Sequence, residues 1–111
     1  MSGERPPANG PGPHHPDAGE EQRQELELIE AVYDFPGDFS LSVIARNDQA
    51  VLDAVMAAVT ADGRELRSHQ RQASSGGKYV SHRLEVRVGS ATEAYQLRAK
   101  LRAIDGVKTV L

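Results

Sequence analysis

The chain has 111 residues, a net charge of −3, no cysteine, no tryptophan, two Phe and three Tyr. That length holds one ordinary domain and a tail, and so few aromatics give a small core rather than a deep, enclosed active site. Without cysteine there is no disulfide, thiolate metal site or thiol nucleophile.

The charge is unevenly spread. Residues 1–38 carry nine acids against two bases, a net −7, and residues 39–111 carry seven acids against eleven bases, a net +4. An acidic leader on a mildly basic body could dock on that body or screen it from polyanions. No apolar run approaches the roughly 18 residues of a membrane span. The opening MSGERPPANG also lacks the apolar stretch of a secretory signal, so a cytoplasmic location is expected.

Residues 1–19 hold five of the six prolines and almost nothing that can be buried, which predicts a disordered tail. His14-His15 within it has no further metal ligand nearby. Residues 20–36 form the acidic leader. Leu26, Ile29, Val32 and Tyr33 share one helical stripe there, giving a short helix over about 22–33 that ends before Pro36 and packs on the domain edge.

The domain proper spans 37–111. FSLSVIAR alternates, with Phe39, Leu41, Val43 and Ala45 facing one way, and reads as a strand. Asn47 or Asp48 caps a helix over about 48–61 carrying Val51, Leu52, Val55, Met56 and Val59, and Gly63 follows its end. A nearly all-polar strand over about 65–73 suits a sheet edge. Residues 79–88 alternate again, with Val80, His82, Leu84, Val86 and Val88 facing in, as in a central strand. A helix over about 91–104 and a short strand from VKTVL close the chain. Strand, helix, strand, strand, helix, strand describes an α+β, ferredoxin-like βαββαβ sandwich. Its four-stranded antiparallel sheet has two helices on one face, with the first and third strands central.

SSGGKYVSH, residues 74–82, has the glycines of a phosphate loop but leads into a strand, so no helix terminus faces an anion. It reads as a hairpin turn. Placing Leu66 opposite Val86 leaves a three-residue loop, Ser75 to Gly77. That register sets Arg67 opposite Glu85 and His69 opposite Arg83, and it puts His69 and His82 on opposite faces. A shared metal site is thereby excluded. His82 is expected to be a core or rim histidine with one hydrogen bond. The outer face then gathers Arg67, His69, Arg71, Tyr79, Arg83 and Arg87 as candidate binding residues. A basic sheet with an aromatic suggests single-stranded RNA, but one tyrosine is a poor stacking platform, so nucleic acid is the weaker reading. No pattern supplies a catalytic site, a metal site or a cofactor.

Several stretches together resemble one known family. Phe35, Pro36 and Phe39, the hairpin residues Ser74, Ser75, Gly77, Tyr79 and Ser81, and the closing Val110 and Leu111 are similar to the YbeD-like family of small bacterial proteins of unknown function. The resemblance covers about residues 27–111. Ser42 and Ala45 stand where that family often has Lys and Gly, and Lys78 follows Gly77 where its lysine usually precedes the glycine. The resemblance implies the ferredoxin-like fold, close in shape to the amino-acid-binding regulatory (ACT) domains, and no known activity. The expectation is a small, non-catalytic regulatory or binding domain acting through its sheet face. Its partner would be a small molecule, another protein or a second copy.

Overall fold

A computed structural model of the chain describes residues 18–111. The expectations for residues 1–17, including the tail and His14-His15, lie outside the described residues. The elements are α1 (Ala18–Val32), β1 (Gly37–Arg46), α2 (Gln49–Thr60) with a 3-10 turn (Ala61–Gly63), β2 (Leu66–Ala73), β3 (Tyr79–Val88), α3 (Ala91–Arg102) and β4 (Val107–Val110). Helix α1 begins four residues earlier than its apolar stripe suggests, so residues 18 and 19 belong to a helix and not to a tail.

The sheet runs β2-β3-β1-β4 and is antiparallel throughout. Strict alternation in β1 and β3 buries Phe39, Leu41, Val43 and Ala45 against Val80, Leu84, Val86 and Val88. Onto this face pack Val51, Val55 and Val59 of α2, and Ala91, Ala94, Leu97 and Leu101 of α3. Burial of these apolar side chains is the main force holding the layers together. Both helices start on a side-chain cap: Asp48 accepts from the Ala50 N–H at 2.8 Å and Ser90 from the Glu93 N–H at 3.1 Å. Each satisfies an orphan donor of its helix.

Helix α1 joins the same core. Ile29 is buried, Tyr33 packs edge-on against Phe39 with ring centres 4.8 Å apart, and Phe35 closes the aromatic group. Glu25 of α1 reaches Arg98 at 3.5 Å and Arg102 at 3.6 Å on α3. Through Glu25 the acidic leader thus meets basic residues of the helix layer.

Candidate functional site

With both core helices on one side of the sheet, its other face lies open. Its residues form rows across the strands because partners in a ladder share a face. One row is Ser68, Glu85 and Ser40, on β2, β3 and β1; the next is Gln70, Arg83 and Ser42. Leu111 extends this second row, its N–H donating to the Ser42 carbonyl at 2.8 Å. Small serines beside long charged side chains leave a groove of about 570 Å³, lined by these residues and open to solvent. Arg83, Glu85 and Arg87 enter none of the ion pairs found among the described residues. Two opposite charges thus stand two residues apart on the central strand, each free to take a partner.

The hairpin departs from the expected register. Leu66 does pair with Val86, but Ser68 pairs with Glu85, so Arg67 and Ser68 together oppose one residue. This is a β-bulge, and it shifts every later pair by one. His69 lies opposite Leu84 and not Arg83, Gln70 opposite Arg83, and Arg71 opposite His82. The loop lengthens to five residues, 74–78, with the Gly77 N–H donating to the Ser74 carbonyl at 2.9 Å. Gly77 has φ +72°, which suits a residue without Cβ.

The six candidate residues are therefore divided. Arg67, Tyr79, Arg83 and Arg87 are on the outer face, while His69 and Arg71 turn to the helix side. Arg67 is held by Asp38 at 3.6 Å and Glu65 at 3.4 Å. The ammonium groups of Lys78 and Lys108 each stand 5.6 Å from the centre of the Tyr79 ring. Ser40, Ser42, Ser68, Gln70 and Glu85 complete the groove and are not among the expected binding residues. The alternation of FSLS already turned Ser40 and Ser42 outward; the bulge hid Ser68 and Gln70.

The two histidines, expected on opposite faces, meet. His69 Nε2 and His82 Nδ1 are 3.0 Å apart, and His82 is 1% exposed. One ring nitrogen donates and the other accepts. The bulge is what carries His69 to the helix side, where it supplies the hydrogen bond that the buried His82 ring needs. Burial, then His69, then Arg71 hold the His82 pKa below its ordinary 6.5. Among the described residues no group of three or more His, Cys, Asp or Glu is placed to hold a metal ion.

Residues 30–111 match the sequence profile of a family described as a protein of unknown function, DUF493. The chain belongs to the DUF493 family. This is the YbeD-like family that the motifs resemble. Among curated proteins nothing matches the DUF493 chain. Solved structures similar to it include the crystal structure of the ACT domain from GTP pyrophosphokinase of Chlorobium tepidum, at 18% identity and TM-score 0.57. That match covers 68% of this chain and 97% of the other. The solution structure of that ACT domain gives 18% identity and TM-score 0.55, covering 67% and 84%. The C-terminal domain of the MgtC protein from Mycobacterium tuberculosis gives 18% and 0.56, covering 72% and 89%. At such identities the likeness concerns the fold. Among the described residues no helix is long and apolar enough to cross a membrane.

Proposed function

We propose that this DUF493 chain is a non-catalytic binding domain that takes a small dipolar ligand in the outer-face groove, with a regulatory output. The observation that carries this reading is the Arg83–Glu85 couple. It presents an unpaired guanidinium and an unpaired carboxylate, flanked by serine hydroxyls, in a groove of small-molecule size. Arg83 would take a carboxylate as a fork of two N–H donors, and Glu85 an ammonium group. The groove is open to water, which screens such contacts, so the affinity expected is modest, with Kd on the order of 0.1–1 mM. Likeness to ACT domains agrees with a regulatory role.

Nucleic-acid binding loses support on this geometry. His69 and Arg71 have left the face, Asp38 engages Arg67, and Glu85 sits between Arg83 and Arg87. A second copy is also a poorer occupant, since interface cores are apolar and this face offers little beyond Ile44, Tyr79 and Leu111.

The test is an amide NMR titration at pH 7.5 with three solutes of one carbon skeleton: an amino acid, its deaminated acid and its decarboxylated amine. Shifts at residues 40–42, 68–70 and 83–85 with the amino acid, lost in Arg83→Ala and Glu85→Ala, support the proposal. Equal shifts with all three solutes, or none, overturn it.

A further inference from the structure

Strand β2 is polar on both sides, and beyond Leu66 it carries no large apolar residue. Hydrophobic burial therefore cannot fix its register past that point, and two-sided polar strands are the ones prone to slip. Four side-chain contacts hold the bulged register. His69 meets His82, Arg71 donates to Asn47 Oδ1 at 3.3 Å, Asn47 Nδ2 donates to the Gly77 carbonyl at 2.9 Å, and Ser74 Oγ accepts from the Tyr79 N–H at 3.2 Å. Only the first is made of imidazoles, the side-chain type that can gain a charge in mild acid.

The competing register is well defined. Without the bulge, ladder pairing continued from Leu66 and Val86 sets Arg67 opposite Glu85, His69 opposite Arg83, Gln70 opposite His82 and Arg71 opposite Ser81. The loop contracts to residues 75–77, where Gly76 and Gly77 tolerate a tight turn. In this register a cationic His82 would face the Gln70 amide oxygen, an acceptor, in place of the Arg71 guanidinium. His69 would stand in solvent.

We infer that β2 is a two-register strand, and that protonation of the His69–His82 pair converts the bulged register into the regular one. A single added proton leaves the bond intact, because one imidazole still accepts. Two added protons make both facing nitrogens donors 3.0 Å apart, and the bond becomes a repulsion.

The surroundings favour release. On β2 the charged neighbour is Arg71, a second cation opposite His82; on β1 the partner is uncharged Val43. From the start of α2, Asn47, Asp48, Gln49 and Leu52 line the small space at His82. Asp48 is the one carboxylate there. One of its oxygens caps Ala50 and the other faces Arg46 at 3.7 Å. The positive end of the α2 dipole lies on the same side.

Slippage would move His69 and Arg71 to the outer face and turn Ser68 and Gln70 inward. The groove would lose two neutral hydrogen-bonding walls and gain two cations, so acid would trade a dipolar ligand for an anionic one. That last consequence rests on the proposed function. The register change itself does not.

The experiment uses the full chain without ligand. Cross-strand NOEs are recorded from pH 7.5 to 5.0 while both imidazoles are followed through their own titrations. At pH 7.5, contacts joining Gln70 to Arg83 are expected. Once both rings are charged, these should give way to contacts joining Gln70 to His82 and His69 to Arg83. Gln70–Arg83 contacts that persist with both rings charged overturn the inference. His69→Ala at pH 7.5 is an independent check that needs no acid. With the bond deleted, the regular register should predominate at neutral pH, and an unchanged bulge would overturn the claim that the pair holds it. A groove that binds nothing while the register shifts would defeat the proposed function alone.

Discussion

His82 faces the helix layer in a position that its neighbours on β3 give to Val80 and Leu84. It is tolerated there because it is neutral and bonded to His69. Its pKa in the folded chain lies below 6.5, from burial first and the nearby His69 and Arg71 after it. In the unfolded chain the ring takes up its proton at about the ordinary value. Between 6.5 and the lower folded value the unfolded state therefore binds more protons, and stability falls as pH falls. Above 6.5 the ring is neutral in both states and this contribution is complete. Urea unfolding from pH 7.5 to 5.0 should show a declining midpoint, with a slope no steeper than about 1.4 kcal/mol per pH unit for this one proton. His82→Leu should flatten the decline below 6.5. An equal decline in that variant would place the acid sensitivity elsewhere.

At the scale of elements, the junction of α2 with α3 depends on Arg64. Its side chain, 9% exposed, donates to the carbonyls of Ala58 and Val59 at 3.0 Å each and to Glu93 Oε2 at 3.0 Å. The first two are end carbonyls of α2 that would otherwise lack a partner. Glu93 in turn accepts from the Gly89 N–H at 2.7 Å, and that bond, with Arg64, lowers its pKa. A lysine cannot make this fork of contacts. Arg64→Lys and Arg64→Ala should each lose about 1–3 kcal/mol in denaturant unfolding, and a lysine variant of full stability would refute the role of the fork. Removing the α2 cap by Asp48→Ala should cost about 1 kcal/mol in the same assay.

This scale also separates what was legible in the sequence from what was not. Strands β1 and β3 and helices α2 and α3 were readable because apolar period and cap residues agree at each. Asp48 and Ser90 precede helical stripes, and the valines of β3 alternate without a break. Strand β2 was readable as an edge, but its register was not. Leu66 alone sets its parity, and a bulge immediately after that residue reverses it. The available signal is indirect: a histidine among inward valines needs a hydrogen-bonding partner, which His69 supplies in the bulged register and Gln70 could supply in the regular one. At the site the same reversal takes His69 and Arg71 off the outer face and brings Ser68 and Gln70 onto it.

At the scale of the whole molecule, α1 determines which surfaces remain open. Its acids engage α3 through Glu25 with Arg98 and Arg102, and its aromatic exit packs on Phe39, so the leader is committed to the helix layer. The outer sheet face stays uncovered by any described element. The neighbouring α1 residues Leu28 and Ile29 make a clean contrast, with exposures of 67% and 4%. If α1 is part of the folding unit, Ile29→Ala opens a cavity in the common core and should lower stability by about 2–5 kcal/mol. Leu28→Ala removes exposed surface and should stay within about 0.5 kcal/mol. Both are read from a single urea transition with circular dichroism. In a cooperative unit the transition should remain single in Ile29→Ala and move as a whole. A separate early transition confined to helical signal would show instead that α1 unfolds alone from the sheet and its two core helices, and the leader would then be an appendage rather than part of the domain.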